Sequence, residues 1–381
     1  MKRRNFFRSI ALGGVSAALA PMAKASSTFQ AKQKPITNID QIRSIPRNEK
    51  SMPGKYPGKV VKTNCPACIV DGKPSETAAY KMLEAGMLEL TGAENLNAAW
   101  LRFVGPEDVI GLKVNPIAGK LLSTTHAVTQ SVIKQLEEAG IPRKNLLIWD
   151  RREVDLRESG FTAENYPGIR IIGTEYQDEN GSYIDPAGKY YGENRIDKNH
   201  RFHAAVNGEY DAYTMPYMIN GGEDSFFSKI CTEMVTKIIN IPVMKNAGSS
   251  ITVCMKNLGF GAISNTARLH KELWHETCAY VCAFPPLRDK VVLNIVDGLK
   301  GCFDGGPEAN PQFICQYNTL MVGSDAVALD SVCFDVILAK RIEEGIQKEE
   351  RPGSRLFMEL AQELKLGVAD REKIELKEIN L

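Results

Sequence analysis

The chain has 381 residues, 43% of them apolar, and its 47 basic and 46 acidic side chains leave a net charge of +1. This balance excludes nucleic acid as a partner, since phosphate-backbone binding needs a clustered positive surface, and the apolar fraction is that of a filled globular core. Without the first 25 residues, which carry five basic and no acidic side chains, the charge becomes about −4, and the remaining length suits one large or two medium domains.

The chain opens on Lys2, Arg3, Arg4 and Arg8, continues through a weakly apolar stretch over 10–20, and reaches the small-residue site Ala23-Lys24-Ala25. That is the three-part plan of a removable export signal. Lys2-Arg3-Arg4-Asn5-Phe6-Phe7-Arg8 resembles the twin-arginine consensus, so residues 1–25 are expected to engage the twin-arginine translocase and to direct the protein to the periplasm or the exterior. An ordinary secretion signal is the alternative. The apolar stretch is about half of the roughly 20 residues that span a bilayer, so no permanent membrane anchor is expected. The twin-arginine route passes proteins already folded, often around a cofactor, and no particular cofactor is indicated by the sequence.

Residues 26–60 are rich in Lys, Pro, Ser and Gly without a sustained period, which predicts a linker or extended arm before a domain over 61–381. A helix is predicted over 75–91 and a strand over 109–115. Next come N-cap candidates Ser123, Thr124 and Thr125, apolar Val128, Val132, Leu136 and Ala139 at helical spacing, a stop at Gly140 and Pro142, and a buried strand over 146–150. Strand, helix and strand with short joins predict a βαβ unit, hence an α/β fold with a mostly parallel, Rossmann-like layered sheet and helices on both faces. A strand over 169–173 precedes a loop-rich, lid-like insertion over about 176–220. Beyond it the pattern predicts a helix over 228–237, strands over 238–243, 251–255, 291–296 and 319–322, and a helix over 326–339.

Polar groups recur where these apolar strands end. Lys113 and Asn115, Asp150, Lys245, Lys256 and Asn257, Asp297, and Asp325 each follow one. In open α/β sheets the ligand crevice lies at the carboxyl ends of the strands, where loops are free to carry chemistry. Lys113, Asn115, Asp150, Lys245, Lys256, Asn257 and His270 are therefore the candidate catalytic or anion-holding residues, and a small anionic molecule the expected partner. Asp297, Asp325 and Asp330 are hard oxygen donors that would suit a divalent cation as cofactor. The alternative is that these groups cap helices and pair at a solvated rim. The sequence contains no P-loop, no dinucleotide fingerprint and no Ser-His-Asp order.

Nine cysteines are many for an oxidising compartment, and an odd number cannot all pair within one chain. Cys231, Cys254 and Cys333 fall in apolar settings and are expected to be buried. Cys65-Pro66-Ala67-Cys68 and Cys278-Ala279-Tyr280-Val281-Cys282 form an alternative thiol site: four thiolates for a metal, a redox or disulfide pair, or unlinked thiols.

Several motifs in fixed order resemble the family called domain of unknown function 362. They are Val109-Ile110-Gly111-Leu112-Lys113-Val114-Asn115, Glu137-Glu138-Ala139-Gly140, Trp149-Asp150-Arg151, Met255-Lys256-Asn257-Leu258-Gly259-Phe260-Gly261, Asp297-Gly298, Gly305-Gly306-Pro307 and Gly323-Ser324-Asp325-Ala326-Val327-Ala328-Leu329-Asp330. The resemblance covers about 98–338 and implies no activity. Some relatives carry ferredoxin-type cysteine runs; this chain lacks the four-cysteine run, so an iron-sulfur cluster is not expected. The first βαβ unit is faintly similar to the amino-terminal domain of nickel-dependent lactate racemases, which bears on fold alone.

Overall fold

The βαβ unit predicted at 109–150 forms as its residues dictate. Strand β2 (Ile110–Lys113) leads through a loop to Thr125, whose hydroxyl accepts from Val128 N at 3.3 Å and starts helix α2 (His126–Glu138). Gly140 then takes a positive φ of 88°, and strand β3 (Leu146–Arg152) pairs in parallel with β2. The computed structural model describes residues 34–206, 222–248 and 250–381, so the signal expected over 1–25 lies outside the described residues.

Among the described residues, the sheet around this unit has eleven strands. The others are β1 (Lys59–Asn64), β4 (Arg170–Glu175), β5 (Lys237–Asn240), β6 (Val243–Ala247), β7 (Ser250–Thr252), β8 (Val291–Cys302), β9 (Ile314–Cys315), β10 (Thr319–Gly323) and β11 (Glu375–Asn380). Their order is β11-β1-β10-β8-β5-β2-β3-β4, with β6 and β9 beside the later part of β8 and β7 on β6. Strands β8, β5, β2, β3 and β4 are parallel, while β10 runs antiparallel to both β8 and β1. The fold is a mostly parallel α/β layered sheet.

Alternation along the strands divides the core. Ile110, Leu112, Leu146 and Ile148 pack with helix α1 (Glu76–Thr91) and α2 on one face. Leu147, Trp149 and Ile238 pack on the other with helices α3 (Cys254–Gly259), α4 (Trp274–Tyr280), α5 (Ala326–Glu343) and α6 (Leu356–Glu363). Part of the arm, residues 35–58, lies on this body: Arg288 donates to the carbonyls of Ile45 (3.2 Å) and Pro46 (2.8 Å), and Gly58 N donates to Asp325 (3.0 Å). Within the loop-rich stretch, Ile196–His203 pairs with Asp224–Ser228.

Three predicted elements differ. The strand predicted over 238–243 ends at Asn240, and Lys245, expected beyond its tip, lies inside β6. In place of a helix over 228–237 there is one π-helical turn, Ile230–Met234, because Val235 and Thr236 extend to meet β2, with Thr236 N on Val109 O at 2.9 Å. The strand predicted over 251–255 ends at Thr252, and the Asp330 carboxylate accepts from the amides of Cys254 (2.6 Å) and Met255 (2.9 Å), which turns the chain into α3. Lys256 and Asn257 are therefore helical residues and do not stand on a strand tip.

Candidate functional site

The parallel register aligns Trp149, Lys113, Asn240 and Asn294 as partners on neighbouring strands β3, β2, β5 and β8. Register partners share a face, so a polar row crosses the sheet beneath α3. Asn257 is the junction. Its Oδ1 accepts from Lys113 Nζ and from Asn115 Nδ2, both at 3.0 Å, and its Nδ2 donates to Asn240 Oδ1 at 2.8 Å. Asn240 Nδ2 donates to Asn294 Oδ1 (2.9 Å), and Asn294 Nδ2 to Ser324 O (3.2 Å). At the near end Lys245 Nζ donates to Asn115 Oδ1 at 2.7 Å. Every amide in this chain donates in the same direction, an arrangement in which each bond polarises the next. Lys113 also forms an ion pair with Asp150. A Cβ on Gly261 would lie 2.5 Å from Lys113 Cε, so only glycine there leaves room for the lysine.

Among the described residues Lys245 and Lys256, unlike Lys113, form no ion pair with a carboxylate. Lys245 is fully buried and, among the described residues, bonds only Asn115 Oδ1 and the Ile117 carbonyl (3.1 Å). Burial first, and then the neighbouring Lys256 charge, push its pKa down to about 7. Lys256 is 5% exposed, and among the described residues its Nζ meets aromatic rings alone: it lies 5.3 Å from the Phe260 centroid and 5.8 Å from that of Trp274. Burial, with Arg151 adding to it, lowers its pKa to about 8.

Above this layer, at the carboxyl ends of β2 and β3, a pocket of about 600 Å³ is lined by Ile117, Arg151, Asp155, Thr266, His270 and Glu308 among others. Arg151 pairs with buried Glu175 at 3.4 Å and bonds the Thr266 hydroxyl. Asp155 pairs with Arg152 at 3.2 Å, yet burial raises its pKa to about 6. The His270 ring packs against Phe260, tilted by 45° with centroids 4.4 Å apart, and its Nδ1 lies 3.0 Å from the Thr266 carbonyl. A carbonyl can only accept, so Nδ1 carries the proton and Nε2 keeps a lone pair. Burial of the ring face and the charges of Lys256 and Arg151 lower the His270 pKa. Its edge stays open at the pocket, and solvent there limits the shift.

The structure brings together Lys113, Asn115, Asp150, Lys245 and Asn257, with Lys256 and His270 close by. Asn240 and Asn294, which the sequence reading passed over, complete the row; the available signal was an amide inside each of two otherwise apolar strands. The three aspartates do not converge. Asp297 lies within β8, opposite Leu320 of β10, and accepts from Thr125 N (2.7 Å) and Leu299 N (3.1 Å). Asp325 stands beyond the end of antiparallel β10, as the N-cap of α5, and accepts from Val327, Ala328, Gly58 and Val368 amides at 2.9–3.0 Å. Asp330 holds the start of α3. Among the described residues no group of three or more His, Cys, Asp or Glu is placed to hold a metal ion. The cysteine pairs are likewise apart, Cys65 and Cys68 in the core on one face and Cys278 and Cys282 in the core on the other, so they do not form one four-thiolate site. All nine thiols are free.

No curated protein is significantly similar to this chain. The crystal structure of a Thermotoga maritima protein, a Northeast Structural Genomics Consortium target, is similar at 10% identity with a TM-score of 0.36, over 71% of this chain and 59% of that one. The chain thus spans less than two thirds of that protein, and so distant a likeness adds nothing to the fold described above. The model of the family DUF362, a domain of unknown function, matches residues 110–335, more than half of the sequence, and the chain belongs to that family.

Proposed function

We propose that this is an exported enzyme that takes a small anionic substrate in the pocket at the carboxyl ends of β2 and β3. Arg151 and the buried Lys245 and Lys256 supply positive potential, and His270 Nε2 accepts a proton. The supporting observation is that Lys245 and Lys256 are buried and that, among the described residues, neither forms an ion pair with a carboxylate, the Lys256 charge adding to the desolvation of Lys245. Removing an ammonium from water costs several kcal/mol unless an opposite charge repays it, and an anion in the pocket would do so. The pocket volume is that of a small-molecule site. Backbone amides already hold Asp297, Asp325 and Asp330, so a divalent cation is not part of the proposal.

Calorimetric titration with phosphate, sulfate and small mono- and dicarboxylates tests this. At least one class should bind, and Lys256→Met should weaken it by roughly tenfold or more, about 1.4 kcal/mol. Equal affinity in the two proteins would sink the assignment. Export is tested separately: replacing Arg3 and Arg4 by lysine should leave uncleaved precursor in the cytoplasm, and normal export of that variant would refute the twin-arginine route.

A further inference from the structure

We propose that the ligand of this pocket is amphiphilic: a carboxylate or a phosphate ester whose anionic group is joined to an apolar body such as an aryl ring. This rests on the anion pocket proposed above and names its substrate class. The geometry carries it, because the lining divides into two continuous walls. One wall is polar. Arg151 bonds the Thr266 hydroxyl, and His270 Nδ1 lies 3.0 Å from the Thr266 carbonyl, so the guanidinium and the imidazole are joined through one residue. A planar guanidinium takes a carboxylate or phosphate through paired N–H bonds. Of the acidic lining groups, Asp155 pairs with Arg152 at 3.2 Å, and Glu158 and Glu308 are exposed, where solvent screens them.

The other wall is apolar and comes from two loops that leave strands of the sheet: Pro116, Ile117, Ala118 and Leu121 beyond β2, and Pro307 and Ala309 beyond β8. The two loops meet, since Ala118 and Ala309 both pack against the small buried cluster of Leu122, Val243 and Cys302. The first loop is held in place. Thr124 N donates to the Asn115 carbonyl at 2.9 Å and closes the loop at its base, and Lys245 Nζ donates to the Ile117 carbonyl at 3.1 Å. Leu121 is nevertheless 48% exposed. A single exposed leucine needs no explanation, but one that continues an apolar wall inside a pocket beside a guanidinium has a use, because an apolar ligand body would take it out of water. An inorganic oxyanion would fill only a fraction of about 600 Å³ and would leave this wall wet.

The test is calorimetry of the full chain with two pairs of probes that differ in the apolar body alone, acetate against phenylacetate and methyl phosphate against phenyl phosphate. The member with the ring should bind at least about tenfold more tightly in whichever pair is recognised, the gain expected when a ring leaves water. In Leu121→Ser that gain should shrink by about threefold or more, while the affinity for acetate or methyl phosphate stays within about twofold. The pair that binds distinguishes an organic acid from a phosphate ester. Equal affinity within both pairs would overturn the amphiphilic ligand and leave the anion pocket standing. A gain that Leu121→Ser does not reduce would overturn the apolar wall as its source. If no probe binds, both readings fail.

Discussion

Lys113 and Asn240 are register partners on adjacent parallel strands, and the amide of Asn257 ties them together from the helix above. One side chain thus accepts two bonds and donates a third inside the core, and its loss leaves Lys113, Asn115 and Asn240 each short of a partner. Asn257→Ala should destabilise the fold by about 3 kcal/mol, given 1–3 kcal/mol for each buried group left unsatisfied and partial relaxation around it. Urea denaturation with an unchanged slope and a lower midpoint would bear this out, and an unshifted midpoint would contradict it.

Gly261 faces the same lysine. An added methyl would meet Lys113 Cε at 2.5 Å and also the Asn257 carbonyl oxygen, and backbone cannot retreat as a flexible side-chain end can. Gly261→Ala should therefore cost about 2 kcal/mol or more by overpacking, and should reduce anion binding because Lys113 and its partners move. A variant as stable as the parent would show that the lysine has another path.

How far such a site is legible in a sequence depends on which contacts set it. Lys113, Asn115 and Asp150 are recoverable because short apolar runs end in them and a βαβ unit fixes their edge of the sheet. Asn240 and Asn294 are not, since an amide within a strand has the same appearance whether it caps a neighbour or joins a row. Asp325 looked like a member of the rim because strand composition does not reveal direction, and β10 runs against β8. Lys256 and Asn257 looked like strand-tip residues because Ile251 to Met255 are apolar and partly β-branched; the carboxylate that turns them into a helix belongs to Asp330, far along the chain.

Asp330 consequently acts on the site from a distance. Asp330→Ala would leave the buried amides of Cys254 and Met255 unbonded, at about 1–3 kcal/mol for each group, and would loosen the first turn that aims Lys256 and Asn257. Thermal denaturation should show a large drop in midpoint, with Asp330→Asn intermediate because its carbonyl can satisfy only one of the two amides well. Equal midpoints for the three proteins would remove Asp330 from this role.

The pH dependence follows from the two lysines, and stability and binding have opposite signs. Their folded pKa values, about 7 for Lys245 and about 8 for Lys256, lie below the unfolded value near 10.4. Between those limits the unfolded chain holds protons that the folded chain has released, so stability rises with pH through that window. Lys256→Met removes a buried charge and should be more stable than the parent by roughly 3 kcal/mol below pH 8, with the difference vanishing towards the ordinary lysine range. Anion binding needs the ammonium forms and should weaken as pH climbs through 7 to 8, while a bound anion shifts both midpoints upward. Denaturation and calorimetry across this range measure the two trends in one preparation. If the Lys256→Met difference were independent of pH, the amine would be an ordinary solvated lysine, and the case for an anion in the pocket would lose its support.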